Sequence, residues 1–244
     1  MKKFLWFAPS IIFALVVWEI ISRGSFVSPN LFPPPSKVAV ALWRMVMSGT
    51  LFSDLRDSLW RLTAGLVIGS TIGIFLGLLT GRIKSFTTTI SPIIQILRPL
   101  PPVAIIPLVI VWFGIGDIAK IFSISFAVFF PVWLNAHIGA RQIPRTYLWS
   151  AKLLTASSVK IFRKVIFPAT LPFIIAGIRA GIAVAFIMIF VSELAGASSG
   201  LGYRISIAHS SYRIDTMIAG LVVLGALGAT IDQLFIFATD KFLP

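Results

Sequence analysis

The stretch LTAGLVIGSTIGIFLGLLTG, residues 62–81, decides the fold class of this chain of 244 residues. It runs for twenty residues without a single charged side chain. A helix needs about 20 mostly apolar residues to cross the hydrocarbon core of a membrane. A helix also satisfies its own backbone hydrogen bonds in lipid. The stretch therefore predicts a membrane-spanning α-helix.

Glycine recurs at every fourth position of this stretch. The glycines are Gly65, Gly69, Gly73, Gly77 and Gly81. Because residues at that spacing share one helical face, they form a continuous stripe that carries no side chains. Small residues on one face let the backbones of two membrane helices approach closely. We interpret the stripe as a packing surface, within the subunit or a dimer, rather than as a ligand contact.

The rest of the chain has the composition of a membrane protein. Hydrophobic residues make up 57% of the chain and charged residues 12%, whereas a soluble domain carries about a quarter charged residues. Further apolar stretches that are long enough to span lie at residues 4–22, 93–113, 118–137, 172–191 and 217–239. The sequence therefore predicts an all-α membrane protein with about six transmembrane helices.

These spans divide the chain into three regions. Residues 1–22 form an N-terminal anchoring helix, which we interpret as an uncleaved span because its apolar run is long and lacks a small-x-small cleavage site. Residues 23–61 form an external loop, with a proline-rich entry to a short interfacial helix. Residues 62–244 form a five-helix core, which includes a cytoplasmic loop at residues 139–171 with the densest cluster of cations.

The formal net charge of +13 does not indicate nucleic acid. The cations flank the apolar runs, as they do in membrane proteins, and no basic soluble module stands apart from the spans. Their distribution favours cytoplasmic N- and C-termini. The chain has no cysteine, no histidine cluster with metal-ligand spacing and no Walker A motif. We therefore expect no metal, cofactor or ATP site on this chain.

The stretch ILRPLPPVAIIPL, residues 96–108, interrupts the third predicted span. Its prolines are Pro99, Pro101, Pro102 and Pro107, and Arg98 lies among them. Proline removes a backbone donor and disfavours the helical conformation of the preceding residue, so a straight helix is not expected. A broken helix at membrane depth is tolerated where it lines a cavity or is buried in protein. Both alternatives stay open for this span.

Arg98, Arg179, Glu193 and Asp232 are ionisable residues in or beside predicted spans. Charged groups are costly in hydrocarbon, so such residues usually face a bundle interior or water. Each either belongs to a transport path or has a structural partner. Arg179 and Glu193 lie near opposite ends of one span and cannot pair within that helix. For Arg98 we favour the structural role, in which its guanidinium binds carbonyls that the prolines leave free.

The cytoplasmic loop and several other motifs resemble the permease subunits of binding-protein-dependent ABC importers. YLWSAKLLTASSVKIFRKVIFPATLP, residues 147–172, is similar to the loop that these permeases carry between two core spans, with the approximate consensus E-A-A-x-x-x-G followed by I-x-L-P. The motifs LRPLPPVAIIPLVIVWFGIGDIAK (97–120), SELAGASSGLGYRI (192–205) and LFPPPSKV (31–38) resemble the nitrate, sulfonate, taurine and bicarbonate branch. The resemblance covers nearly the whole chain from Leu31 onward.

The loop departs from the family consensus at three positions. Trp149 stands where the family usually has Glu, Ser150 replaces the first Ala, and Thr155 replaces the Gly. The Gly-to-Thr change removes easy access to positive φ at that turn. By the resemblance, the segment that docks on an ATPase comprises Trp149, Ser150, Ala151, Lys152, Thr155, Ala156, Ser157, Lys160 and Arg163.

The resemblance implies a type I ABC importer permease-like core in a bacterial inner membrane. Its role would be to form the path for a small anionic solute of the nitrate, sulfonate, taurine or bicarbonate type. The implied partners are cytoplasmic ATPase subunits that hold ATP and Mg, an extracytoplasmic solute-binding protein, and a second copy of the permease or a similar permease. The chain itself would not be an enzyme. The alternative is a self-sufficient secondary transporter or channel, which predicts internal repeats and several intramembrane carboxylates.

Overall fold

The computed structural model describes residues 2–24 and 31–240, with side chains described from residue 9 onward. All regular structure in these ranges is helical. The helices are α1 (Lys2–Arg23), α2 (Pro35–Met47), α3 (Thr50–Arg82), α4 (Lys84–Leu97), α5 (Ile106–Phe113), α6 (Asp117–Gln142), α7 (Arg145–Leu154), α8 (Ser158–Ile161), α9 (Phe167–Gly196), α10 (Leu201–Ser210) and α11 (Ile214–Thr239). A 3-10 turn (Pro102–Ile105) leads into α5, and a π-helical turn (Phe162–Ile166) leads into α9.

Several of the described helices are long and apolar enough to cross a membrane. They are α3, α6, α11 and the continuous helical segment Ser158–Gly196. A further span consists of α4 and the segment Pro102–Phe113 together. The predicted first span coincides with α1, a helix of 22 residues. The prediction of an all-α membrane protein is therefore confirmed.

The predicted break in the third span is confirmed. The axis bends by 85° between α4 and the segment Pro102–Phe113. Pro101 has φ −61° and ψ 120°, the extended conformation that a residue adopts when a proline follows it. The consecutive prolines therefore end the first half of the span and start the second half in a new direction.

The loop predicted at residues 23–61 is shorter than the sequence indicated. Residues 50–61 form the first turns of α3 instead of an external loop. This part of the helix extends beyond the apolar run because its polar side chains bind buried partners, which are described below. The short helix predicted in this region is α2, and residues 25–30 lie outside the described residues.

The loop predicted at residues 139–171 is also shorter. Residues 139–142 still belong to α6 and residues 167–171 already belong to α9. The connection between these two helices is confined to residues 143–166, where α7, α8 and the π-helical turn lie.

The chain forms two compact units, one of residues 1–58 and 197–226 and the other of residues 59–196 and 227–244. In the first unit, α2 buries Val38, Ala41 and Met45 on one face. A Cβ atom added at Gly220 would lie 2.7 Å from Cγ1 of Ile205, so α10 and α11 touch closely. Apolar contacts of this kind, together with polar contacts of Asp54 that are described below, hold this unit together.

In the second unit, α3 and α6 pack backbone against backbone along the glycine stripe. A Cβ atom added at Gly69 would lie 2.5 Å from the carbonyl oxygen of Ser125, and one added at Gly77 would lie 2.6 Å from Cβ of Ala136. Each of the five stripe glycines would place a Cβ atom within 3.0 Å of an atom of α6. Side chains are therefore excluded from this contact, as the sequence pattern predicts.

A second set of small residues brings α9 against α6. A Cβ atom at Gly177 would lie 2.9 Å from Cβ of Asn135, and one at Gly181 would lie 3.1 Å from Cγ1 of Val128. Because α3 and α9 both approach it closely, α6 is the most buried helix of the unit. Val128 and Ile124 of α6 are fully buried and form the centre of the main apolar cluster.

Candidate functional site

The break in the third span places Arg98 beside a cavity. The cavity has a volume of about 670 Å³ and is lined by Gln95, Arg98, Pro99, Trp133, Leu134 and His137. Arg98 is exposed, and its guanidinium makes no hydrogen bond or ion pair with any other described residue. The bonds to free carbonyls that a structural role for Arg98 requires are thus absent from the described part of the chain. The guanidinium is instead available to a molecule in the cavity.

Thr80 of α3 orients two side chains that line this cavity. Trp133 donates from Nε1 to Thr80 Oγ1 over 3.1 Å, and His137 Nδ1 lies 3.0 Å from the same oxygen. The Thr80 hydroxyl donates to the carbonyl oxygen of Leu76 over 2.7 Å. Because a hydroxyl has one proton, His137 Nδ1 is the donor to Thr80, and this assignment leaves Nε2 free. The cavity therefore combines one cationic group with a fixed imidazole and an amide.

Glu193 is bound by an arginine that the sequence alone places in the external loop. Arg61 donates from Nη1 to Glu193 Oε1 and from Nε to Asp117 Oδ1, each over 2.8 Å. The side chains of Arg61 and Glu193 are 4% and 1% exposed, so this ion pair is shielded from solvent. It joins α3 to α9 and, through Asp117, to the first turn of α6.

A sequence signal for Arg61 exists, although the assignment of residues 50–61 to a loop hides it. Asp54, Ser58 and Arg61 precede Gly65 at helical spacing, so they continue the glycine face of α3. All three are at most 3% exposed. Polar residues that continue the face of the glycine stripe at the same helical spacing indicate buried polar contacts and not a solvated loop.

Arg179 has a carboxylate partner in α11. Its Nε and Nη2 atoms donate to the two carboxylate oxygens of Asp232 over 2.9 and 3.0 Å. This bidentate pair and the Arg61–Glu193 pair give structural partners to the ionisable residues that the sequence places in spans, with the exception of Arg98. The three candidate path residues Arg98, Arg179 and Glu193 therefore do not form one site.

The connection between α6 and α9 exposes an apolar surface. Leu153 and Leu154 at the end of α7 are 88% and 87% exposed, and Trp149 is 60% exposed. The buried face of α7 is marked by Ala151, which is 8% exposed. Large apolar side chains that are exposed together mark a surface for a partner or a membrane. We call the segment of residues 143–166 the docking segment.

The turn between α7 and α8 does not need the glycine of the family consensus. Thr155 has φ −158° and ψ 138°, an extended conformation that any residue adopts. Its Oγ1 accepts a hydrogen bond from the backbone N of Ser157 over 3.2 Å. Ser157 Oγ in turn caps α8 by accepting from the backbone N of Lys160 over 3.4 Å. The threonine is therefore compatible with this turn and stabilises it.

The predicted docking residues differ in their exposure. Ala151 is buried, and Thr155 and Ser157 are half-buried because their side chains stabilise the turn. The exposed residues are Trp149, Ser150, Lys152, Ala156, Lys160 and Arg163. A partner can contact these six residues directly, together with the exposed Leu153 and Leu154.

Residues 69–240 match the family model described as binding-protein-dependent transport system inner membrane component. The chain belongs to this family, so it is a multi-pass inner-membrane permease component of an ABC importer and not an enzyme.

The relatives and the fold agree with this class. The chain is 32% identical to the taurine transport system permease protein TauC of Escherichia coli over 223 residues, which cover 89% of this chain and 81% of TauC. It is 30% identical to the nitrate import permease protein NrtB of Synechocystis over an alignment of 246 positions, which covers 97% of this chain and 88% of NrtB. An inward-facing structure of the MetNI methionine ABC transporter matches with a TM-score of 0.68 and 21% identity, over 81% of this chain and 98% of that chain. The resemblance to the sulfonate, taurine and nitrate branch and the type I importer permease fold are confirmed.

Proposed function

We propose that this chain forms the path of an ATP-driven importer for a small anionic solute of the nitrate, sulfonate, taurine or bicarbonate type. The observation that carries the proposal is Arg98, a guanidinium that has no polar partner among the described residues and lines a cavity at the break of a span. The planar donors of arginine match the oxygens of a small oxyanion. Discontinuous helices at membrane depth form solute sites in transporters. The names of TauC and NrtB support the same class of solute.

ATP hydrolysis takes place on separate ATPase subunits, which hold ATP and Mg and bind the docking segment. The exposed Trp149, Leu153 and Leu154 support this role because they present apolar surface that no described part of the chain covers. The docking segment is continuous with α6 and α9, so movement of the ATPases is transmitted directly to the core. ATP binding then favours one of two states of the path, and alternating access results.

The remaining partners and the orientation follow from the same proposal. An extracytoplasmic solute-binding protein delivers the solute, and a second copy of this chain or a similar permease completes the path. The N- and C-termini are cytoplasmic. The cations of the docking segment support this orientation, because short cytoplasmic loops of membrane proteins are enriched in Lys and Arg.

Replacing Arg98 tests the role of its charge in transport. Arg98→Lys keeps the charge and loses the planar fork, whereas Arg98→Gln removes the charge. A hydrogen bond to a charged group contributes about 1.5–3 kcal/mol, so we expect import by Arg98→Gln to fall at least about tenfold, with Arg98→Lys in between. The measurement is the initial rate of solute import into proteoliposomes that contain the complete transporter.

Both Arg98 variants should assemble normally, because the guanidinium makes no hydrogen bond or ion pair with the described residues. The matched control is Arg56→Gln, which removes an exposed arginine of α3 that does not line the cavity. Wild-type import rates in Arg98→Gln would remove the support for a path beside the broken span.

The docking segment can be tested with a single cysteine, because the chain contains none. Ala156→Cys lies in the exposed turn between α7 and α8, and we expect a bifunctional maleimide to cross-link it to the ATPase subunit. A membrane-impermeant maleimide should leave it unlabelled in intact cells. The control is Ser53→Cys, an exposed position near the start of α3. The proposed orientation places this position outside the cell, so it should be labelled. Labelling of Ala156→Cys from outside would contradict both the docking and the orientation.

A further inference from the structure

A second cavity, of about 280 Å³, lies between α2, the start of α3, α10 and the start of α11. Three arginines line it: Arg44 of α2, Arg204 of α10 and Arg213, which immediately precedes α11. All of these residues belong to the first compact unit. Like charges around one cavity repel each other unless an anion compensates them. The charge of the cavity therefore depends on which carboxylates of the chain pair with these arginines.

Only one of the three arginines has a carboxylate partner among the described residues. Arg204 donates from Nε to Asp54 Oδ2 over 2.7 Å. Asp54 is 1% exposed, and its Oδ1 accepts from the backbone N of Gly200 over 3.1 Å, so this carboxylate is fixed on Arg204. Arg44 and Arg213 are exposed, and their side chains make no hydrogen bond or ion pair within the described part of the chain.

A further acidic residue offsets only part of the charge of the cavity. Asp215 lines an adjoining depression together with Lys37 and Arg44. Its Oδ1 accepts from the backbone N and the hydroxyl of Thr216 over 2.7 and 3.3 Å, and it forms no ion pair with either cation among the described residues. Lys37 adds a further positive charge at the rim. The cavity and its rim therefore carry a surplus of positive charge.

The rest of the lining suits an oxyanion that carries a short apolar group. The hydroxyls of Ser48 and Ser211 line the cavity beside the arginines, and Met45 and Ile207 supply apolar surface. Each guanidinium offers five donors in a planar arrangement that fits two oxygens of a sulfonate, nitrate, carboxylate or phosphate group. A cavity of this size and charge is complementary to a small anion.

We propose that this cavity is an extracytoplasmic binding site for the oxyanion group of the transported solute, held by Arg44 and Arg213. The inference rests on the proposed function for the class of solute and for the side of the membrane. By chain order, α2 and α10 connect spans at the ends opposite to the docking segment. A carboxylate side chain of the solute-binding protein could bind the same two arginines, because it is also an oxyanion. The concave shape and the mixed polar and apolar lining favour the free solute over a protein side chain.

Chemical modification of the complete transporter tests this site without any substitution. Phenylglyoxal reacts with exposed arginines, and peptide mass spectrometry reports the rate at each position. We expect methanesulfonate, compared with chloride at equal ionic strength, to slow the modification of Arg44 and Arg213 severalfold. Arg56, an exposed arginine that does not line the cavity, should react at an unchanged rate. If methanesulfonate changes the modification rate of Arg44 no more than that of Arg56, the proposal is overturned.

Transport by variants separates the two sources of the oxyanion. In Arg44→Gln and Arg213→Gln, the solute concentration for half-maximal import of taurine or nitrate should rise about tenfold, and Arg56→Gln should match the wild type. If this concentration stays unchanged and capture of the solute-binding protein weakens instead, the arginines bind a carboxylate of that protein and the proposal is overturned.

The same measurements distinguish failure of this site from failure of the proposed function. Protection of Arg44 and Arg213 in a transporter that imports none of nitrate, taurine, an aliphatic sulfonate and bicarbonate would support an oxyanion site and refute the proposed class of solute. Import by the wild type without protection of these arginines would refute the site and leave the proposed function intact.

Discussion

Gly73→Leu is expected to prevent the packing of α3 on α6 and thereby the assembly of the transporter. A Cβ atom at Gly73 would already lie 3.0 Å from the carbonyl oxygen of Phe129 and 3.0 Å from Cβ of Val132. Overpacking a well-packed core costs about 1–3 kcal/mol and occasionally more. The cost here lies at the upper end, because backbone atoms and a fully buried side chain cannot move aside. The measurement is the yield of monodisperse transporter after extraction from the membrane.

A smaller substitution tests the same contact more sharply. Gly69→Ala adds one methyl group, whose carbon would lie 2.5 Å from the carbonyl oxygen of Ser125, so it should lower the unfolding midpoint of the transporter. The matched control is Gly225 of α11, where an added Cβ atom would meet nothing within 4 Å. Gly225→Ala should retain the wild-type midpoint.

Wild-type assembly and transport in Gly73→Leu would show that α3 and α6 do not touch along the stripe.

Arg61→Leu is expected to destabilise the permease by about 3–5 kcal/mol, because it removes the cation that pairs directly with the buried Glu193 carboxylate. The Glu193 side chain is 1% exposed, so water cannot replace the guanidinium. The substitution also removes the bond to Asp117. This loss costs less free energy, because Asp117 is half exposed and water can solvate its carboxylate. The measurement is the unfolding midpoint of the purified transporter, together with the yield of assembled complex.

The double variant provides the diagnostic comparison for this ion pair. Arg61→Leu combined with Glu193→Leu removes both charges, and replacing a buried pair by apolar residues is often nearly neutral. We therefore expect the double variant to be more stable than Arg61→Leu alone. Arg56→Leu, which removes an exposed arginine of the same helix, should change stability by about 0.5 kcal/mol or less. A single Arg61→Leu variant as stable as Arg56→Leu would mean that the pair contributes nothing.

The candidate path illustrates how far local sequence signals extend. The break beside Arg98 is predictable, because proline acts on its own residue and on the preceding one. The lack of a partner for Arg98 among the described residues is not predictable in the same way. It depends on which groups the turned chain brings near the guanidinium. The sequence alone favoured a structural role for this arginine, and the bonds that such a role requires are not found among the described residues.

At Thr155 in the docking segment, the conformation suggested by the family consensus differs from the one in the structure. The family consensus suggests that Thr155 disfavours the turn, because glycine reaches positive φ more readily than threonine. The backbone at this position is extended, so the conformational argument does not apply. Only the three-dimensional structure shows that the threonine hydroxyl binds the backbone of Ser157.

The sequence by itself determined the membrane class, the face of α3 that packs and the position of the broken span. These properties depend on the length of apolar runs, on helical periodicity and on proline, all of which act within a few residues. The tertiary structure alone decided the partners. It placed α6 on the glycine stripe, joined Arg61 to Glu193 across 132 positions of the chain, and gathered Arg44, Arg204 and Arg213 around one cavity. Such long-range contacts depend on how helices pack against each other, and local patterns leave many pairings equally compatible with the chain.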